Sequence, residues 1–107
     1  MIQTLNQLKR TLREGTQFKI IRHCRPECVG QVRAITLANS QGFYSKTIGG
    51  TASSANHGNY GRGPILWWGF AAHWAFENGV CSVYDNGKEH TENRLIMAFR
   101  VLDEEEI

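Results

Sequence analysis

The stretch ENGVCSVYDNG (residues 77–87) decides the fold, because it places a turn signal on each side of a short strand pattern. Asn-Gly at 78–79 is the dipeptide that most favours a two-residue hairpin turn. VCSVYD (80–85) follows it as a short strand, and a second Asn-Gly at 86–87 opens a polar loop. This part of the chain is therefore predicted to form an antiparallel hairpin.

Strand patterns continue on both sides of this hairpin. Downstream, RLIMAFRVL (94–102) carries apolar residues at every second position, which is typical of a strand with one buried face. Upstream, the turn NSQG (39–42) joins two strand patterns and a third precedes them. These upstream strands are TQFKIIRHC (16–24), QVRAITLA (31–38) and FYSKTI (43–48).

The segment from Pro64 to Glu77 has two interpretations. Pro64 at a first helical position and Gly79 beyond the end suit a helix. Gly69 weakens a helix interior by about 1 kcal/mol, and the aromatic residues of the segment favour strands. Strands are preferred, and the helix stays open as the alternative. If the segment is extended, one side carries Trp68, Phe70 and Trp74, and the other carries Trp67.

The N-terminus is predicted to form the one helix, over residues 4–14. Thr4 and Gln7 fit a capping box, apolar residues recur at helical spacing, and Gly15 stands where a helix would end. The predicted fold class is α+β, mainly β. It consists of this helix followed by a small five- or six-stranded antiparallel barrel, half-open and SH3-like, in a single domain over residues 1–107.

Composition limits the classes of protein to consider. A chain of 107 residues with 41% hydrophobic and 21% charged residues is typical of one soluble globular domain. No apolar run reaches the roughly 18 residues of a membrane span, and no secretory signal is present, so a cytoplasmic protein without membrane contact is expected. Three cysteines do not make a disulfide framework. An acidic tail occupies residues 103–107.

Residues 49–63 are predicted to be a flexible glycine-rich loop, with five glycines, two serines and two asparagines. Six of the eleven aromatic residues fall within residues 60–76. Tryptophan, tyrosine and arginine are enriched at binding hot spots. The loop and the segment after it therefore predict a protein-binding patch, which consists of His57, Tyr60, Arg62 and Trp67.

Charge is distributed unevenly along the chain, which favours nucleic-acid binding as an alternative. Residues 1–62 carry a net charge of +7 and residues 63–107 a net charge of −5. A basic half of a chain suits an acidic partner such as nucleic acid, unless the fold interleaves the two halves. The residues predicted to meet phosphates in this alternative are Arg10, Arg13, Arg22, Arg25 and Arg33.

A cysteine enzyme or a zinc domain is the second alternative. HCRPEC (23–28) places His23, Cys24 and Cys28 close together, and the fold would have to add Cys81 and His90. Zinc sites favour two closely spaced ligand pairs, and only the first pair has the required spacing. A cysteine nucleophile needs a histidine base and an orienting group, and no motif identifies them. The sequence predicts no catalytic residue, no metal and no cofactor.

Two long segments carry a resemblance. The first is GTQFKIIRHCRPECVGQVRAITLANSQGFYS (15–45), and the second combines WAFENGVCSVY (74–84) with EHTENRLIMAFRVL (89–102). Over these segments the sequence resembles short uncharacterised proteins of bacterial phages and conjugative elements. The resemblance implies a protein that binds a larger host or element-encoded machine. Inhibitors of host defence nucleases, including anti-CRISPR proteins, form one such group. A non-enzymatic binding module is thus the leading hypothesis, and a homodimer would also use an exposed aromatic patch.

Overall fold

The computed structural model of the chain describes residues 2–49 and 66–103. Within these residues one short helix is followed by seven strands. They are α1 (Leu5–Thr11), β1 (Gln17–His23), β2 (Val32–Ala38), β3 (Gly42–Gly49), β4 (Leu66–Trp67), β5 (Trp74–Glu77), β6 (Val80–Tyr84) and β7 (Leu95–Val101).

The helix begins where the sequence predicts. The Thr4 side chain caps it by accepting a hydrogen bond from the Gln7 N–H at 3.1 Å. Gln7 in turn accepts from the N–H of Gln3, at 2.7 Å, rather than from that of Thr4. The cap residue is therefore confirmed, and the reciprocal half of the capping box is shifted by one residue.

The helix ends three residues earlier than predicted. The Thr16 hydroxyl donates to the Thr11 carbonyl at 3.2 Å and so satisfies a carbonyl that a longer helix would have used. Leu12 then leaves the helical conformation, and Gly15, with a φ of 92°, turns the chain into β1. The prediction of a helix over residues 4–14 that ends at Gly15 is therefore wrong at its C-terminal end, because the Thr16 hydroxyl takes the Thr11 carbonyl.

All seven strands form one antiparallel sheet in the order β4-β3-β2-β1-β7-β6-β5. The sheet curls into a half-barrel, so that the chain just after β4 lies close to β5. Trp74 of β5 donates its indole N–H to the carbonyl of Trp68, just after β4, at 2.7 Å. The mainly β prediction with one N-terminal helix is confirmed, whereas the predicted count of five or six strands is too low.

The segment before the hairpin contributes two strands and no α-helix among its described residues. A 3-10 turn, Ala71–His73, separates β4 from β5. Trp68 and Trp74 are buried and Trp67 is exposed, as the extended interpretation predicts. The prediction that Phe70 shares the side of Trp68 and Trp74 is wrong, because Phe70 is 76% exposed. The chain turns at Gly69, whose φ is 60°, and the strand alternation ends there.

The inner face of the sheet packs against α1. Its centre is Phe99, whose ring lies 4.9 Å from that of Phe18 and 6.1 Å from that of Trp74, measured between centroids. Leu8 and Leu12 bring α1 onto the same cluster and are almost fully buried. This core explains the spacing of two residues between the apolar side chains of β1 and of the middle of β7 that face it.

The outer face has its own smaller cluster over β6 and β7, formed by Tyr84, Leu95 and Ala98. The chain between β6 and β7 covers part of it, since His90 stacks on Tyr84 with ring centroids 4.4 Å apart. His90 also contacts the Ala72 carbonyl through Nε2, at 2.8 Å.

The Asn-Gly turn that starts β6 is confirmed, with positive φ at Asn78 and Gly79.

Two predicted segments fall mostly outside the described residues. Of the loop 49–63, only Gly49 is described, and it is the last residue of β3. Of the tail 103–107, only the exposed Asp103 is described. No helix in the described parts of the chain is long and apolar enough to span a membrane.

Candidate functional site

A bulge in β2 places an apolar side chain on the outer face of the sheet. Ile35 is paired with Ser45, and the next pair is Leu37 with Tyr44, so that Thr36 is an extra residue. The extra residue reverses the alternation of side chains. Ile35 is 2% exposed on the inner face, whereas Leu37 is 50% exposed on the outer face.

Leu37 belongs to a row of exposed and half-buried residues on β2, β3 and β4. It lies opposite Tyr44, and Trp67 lies opposite Gly42, two residues from Tyr44 on the same side of β3. Side chains in such neighbouring positions are close enough to touch. Trp67 is 58% exposed. We call Leu37, Tyr44 and Trp67 the outer strip, and Ile48 is a further exposed apolar residue on β3.

The strands that carry the outer strip, together with β1 beside them, contain basic residues and no acidic ones. β1 to β4 include Lys19, Arg22, Arg33 and Lys46, and neither aspartate nor glutamate. Lys46 is exposed beside Tyr44 on β3, two residues further along the strand. Arg33 is buried, so Lys46 is the exposed cation on the three strands that carry the strip.

A groove of about 420 Å³ lies next to the outer strip, between α1 and the turn from β2 to β3. Leu37 lines both the strip and the groove. Trp68 forms part of the groove wall and is fixed by its indole N–H, which donates to the Asn39 carbonyl at 2.7 Å. Lys9 and Arg13 of the helical segment line the other side.

The structure places one residue of the predicted protein-binding patch. Trp67 is exposed on the outer strip, where the sequence analysis expects an exposed tryptophan. The other three members, His57, Tyr60 and Arg62, lie outside the described residues.

The five arginines predicted to meet phosphates do not share one surface. Arg10 and Arg13 are exposed on the segment that packs against the inner face, and Arg25 is exposed next to the Pro26–Cys28 turn. Arg22 lies opposite Ala98, near the outer cluster, and forms an ion pair with Glu92.

Arg33 corrects the prediction, because it is only 5% exposed. Its Nε donates to the Gln31 side-chain oxygen at 2.9 Å, and its Nη2 lies 3.7 Å from the Cys28 sulfur. A guanidinium held in this way does not meet a phosphate at the surface. The alternation of β2 explains the error, since Arg33 shares the inner face with Ile35.

The cysteines and histidines do not form a metal cluster among the described residues. Cys81 is fully buried in β6, and burial raises the pKa of its thiol to about 12. Burial also raises the pKa of Cys28, against the opposing effect of Arg33. Cys24 is exposed, and its sulfur lies 3.6 Å from Nδ1 of His23. That nitrogen already accepts a hydrogen bond from the Arg25 N–H at 2.9 Å.

Comparison with known proteins gives no match. No family model, no curated protein and no solved structure matches this chain. Its function is therefore inferred from the geometry and charge of its own surfaces.

Sequence reasoning missed Leu37 and Tyr44, and it missed the groove. Leu37 follows Arg33 and Ile35 at the spacing of a strand, and no local signal announces the extra residue at Thr36. Tyr44 was a recognisable aromatic residue in a strand pattern, but its face depends on the same register. The groove joins α1 to a turn some 30 residues away, and only the fold brings them together.

Proposed function

We propose that this chain is a non-enzymatic binding module that engages a larger protein through the outer strip. The observation that carries the proposal is the row of exposed Leu37, half-buried Tyr44 and exposed Trp67 on three neighbouring strands. Scattered apolar residues are normal on protein surfaces, whereas contiguous ones mark interaction sites. Tryptophan and tyrosine are also the residue types that most often anchor protein interfaces.

The state of the thiols supports a role without nucleophilic catalysis. A nucleophilic cysteine is an accessible thiolate, usually in an electropositive setting. Cys28 and Cys81 are almost fully buried and their pKa values are raised by that burial. Cys24 is exposed, but its neighbour His23 is engaged with the backbone of Arg25.

The type of barrel and the class of partner are part of the same proposal. We assign the curled antiparallel sheet to an SH3-like half-open barrel, in which α1 fills one side. The resemblance to phage and conjugative-element proteins suggests a larger host or element-encoded machine as the partner. A host defence nuclease, the target of anti-CRISPR proteins, is one candidate of that kind.

Capture of the tagged protein from lysate of its host, with and without nuclease treatment, tests the proposal. We expect a defined protein, identified by mass spectrometry, to remain bound after nuclease treatment. Trp67→Ala removes the exposed anchor and should abolish its capture. Phe70→Ala is the matched control, because Phe70 is an exposed aromatic residue outside the outer strip. Equal capture by wild type and Trp67→Ala would refute the assignment of the strip.

Nucleic acid is a second candidate, favoured by the absence of acidic residues from β1 to β4. Lys19 and Arg100 also lie directly opposite each other on β1 and β7, which places two cations side by side. Captured material that disappears after nuclease treatment, with binding that weakens steeply as salt rises, would support it. A homodimer would instead appear as a concentration-dependent mass in analytical ultracentrifugation, lost in Trp67→Ala.

A further inference from the structure

We infer that the partner presents an acidic segment with a neighbouring apolar side chain, and that the groove beside α1 binds its carboxylate. The inference rests on the proposed function, since it assigns chemistry to the partner of the outer strip. Leu37 provides the physical link, because it lines the groove and belongs to the strip. An extended segment that packs on the strip at Leu37 must therefore pass over the turn from β2 to β3 to reach the groove.

The charges of the groove favour a carboxylate. Lys9 and Arg13 line it from the helical side, and Glu14 is the one acidic residue in the lining. Arg10 is exposed one residue after Lys9 and adds to the positive potential. Hydrogen bonds between such cations and a carboxylate are stronger than those between neutral groups. A carboxylate is thus attracted here, whereas a basic segment is repelled.

The rest of the lining suits an aliphatic side chain next to the carboxylate. Leu37 and Ala38 contribute apolar surface, whereas Leu12 is buried behind them, and Asn39 and Ser40 stand at the turn. An acidic residue flanked by an apolar one satisfies both parts of this lining. The apolar neighbour removes hydrocarbon surface from water, and the carboxylate meets the cations.

The tryptophan of the groove argues against a nucleobase as the occupant. Base binding by single-strand proteins depends on an open aromatic face. Trp68 is only 3% exposed, and its ring packs against Phe43 with centroids 5.2 Å apart. The Lys9 ammonium lies 5.8 Å from the centroid of the same ring. Trp68 therefore forms a wall of the groove and does not offer a stacking surface.

A random dodecapeptide library displayed on phage, selected on the immobilised full chain, tests this inference. We expect enrichment of aspartate or glutamate next to leucine, isoleucine or an aromatic residue. The best peptide is then synthesised with a fluorophore, and its dissociation constant is measured by anisotropy. Lys9→Glu should weaken binding by about tenfold or more, which corresponds to the loss of one charge-assisted contact. Lys88→Glu, the same change on the exposed loop after β6, should leave it within about twofold.

The indole N–H signal of Trp68 in a nitrogen-15 NMR spectrum gives a second readout. It should shift on addition of the peptide to the wild type, because the group lies at the groove. Enriched peptides without acidic residues, or equal affinity in Lys9→Glu and wild type, would overturn the inference. If Trp67→Ala abolishes peptide binding while Lys9→Glu does not, the outer strip is supported as a binding surface and the groove assignment is refuted. If a selected acidic peptide binds equally to all variants, both assignments fail.

Discussion

The two halves of the outer sheet face differ in how their apolar residues are covered. Over β6 and β7, Tyr84 is 8% exposed and stacks on His90, which the following loop supplies. Over β2 to β4, Leu37 is 50% exposed and Trp67 is 58% exposed. Both halves belong to one sheet and share the same inner core. The difference therefore lies in which residues pack on the outer face, and not in the sheet or in its inner core.

This contrast separates residues that hold the fold from residues that are available for binding. Hydrophobic stabilisation is proportional to the apolar surface removed from water on folding. The covered half contributes to the stability of the protein, whereas the outer strip leaves much of its apolar surface in water. A matched substitution in each half should therefore have very different effects on stability.

The largest effect is expected from a pair of tyrosines. Tyr84→Ala removes a buried ring from the covered half and should lower the free energy of unfolding by about 3 kcal/mol. Tyr44→Ala removes a partly exposed ring of the outer strip and should lower it by about 1 kcal/mol or less. Urea unfolding followed by tryptophan fluorescence measures both. Equal losses would mean that the two halves are equally covered in solution.

An intermediate effect is expected at alkaline pH, because β6 is buried on both faces. The pKa of Cys81 is raised by burial to about 12, so its thiol stays neutral in the folded protein while unfolded thiols ionise near pH 8.5. The unfolded state thus binds fewer protons above about pH 9, and stability falls as pH rises. From pH 8 to pH 10, the wild type should lose about 2 kcal/mol more than Cys81→Ala.

The exposed Cys24 provides the control for this pH dependence. Cys24→Ala should retain the alkaline decline of the wild type, measured by urea unfolding at each pH. A decline of equal size in Cys81→Ala and in the wild type would show that other groups cause it.

The smallest effect is expected at the bulge. Leu37→Ser changes a half-exposed side chain and should alter the free energy of unfolding by less than about 0.5 kcal/mol. Leu95→Ser, the same change at a 5% exposed position of the covered half, should cost more than about 2 kcal/mol. Guanidinium midpoints of the two variants compare them directly. A large loss in Leu37→Ser would indicate that something packs on the outer strip.

Local patterns were sufficient for most of the fold. The helix start at Thr4, the hairpin turn at Asn78 and the alternating strand before the tail all depend on neighbours within a few residues. The end of the helix was not predictable in this way, because the Thr16 hydroxyl competes for the Thr11 carbonyl. The segment around Gly69 also departs from a simple strand, since a positive φ there interrupts the alternation.

The candidate site was predictable only in part. Trp67 was expected to be exposed because its neighbour Trp68 had to face the other side, and this holds. Alternation places Arg33 on the same face as Ile35, but it also predicts that face for Leu37, which the bulge turns outward. Register shifts depend on pairing between strands, and no single strand sequence specifies them.

The central position of β7 has a consequence for synthesis on the ribosome. It is the last strand of the described chain, yet it lies between β1 and β6 and brings Phe99 to the middle of the core. Until this strand has emerged, β1 to β4 and the β5–β6 hairpin cannot join into one sheet. The nascent chain must therefore carry Phe18 and its apolar neighbours without their final partners. We expect this sheet to form only after β7 has been translated, and the nascent chain to depend until then on protection from aggregation.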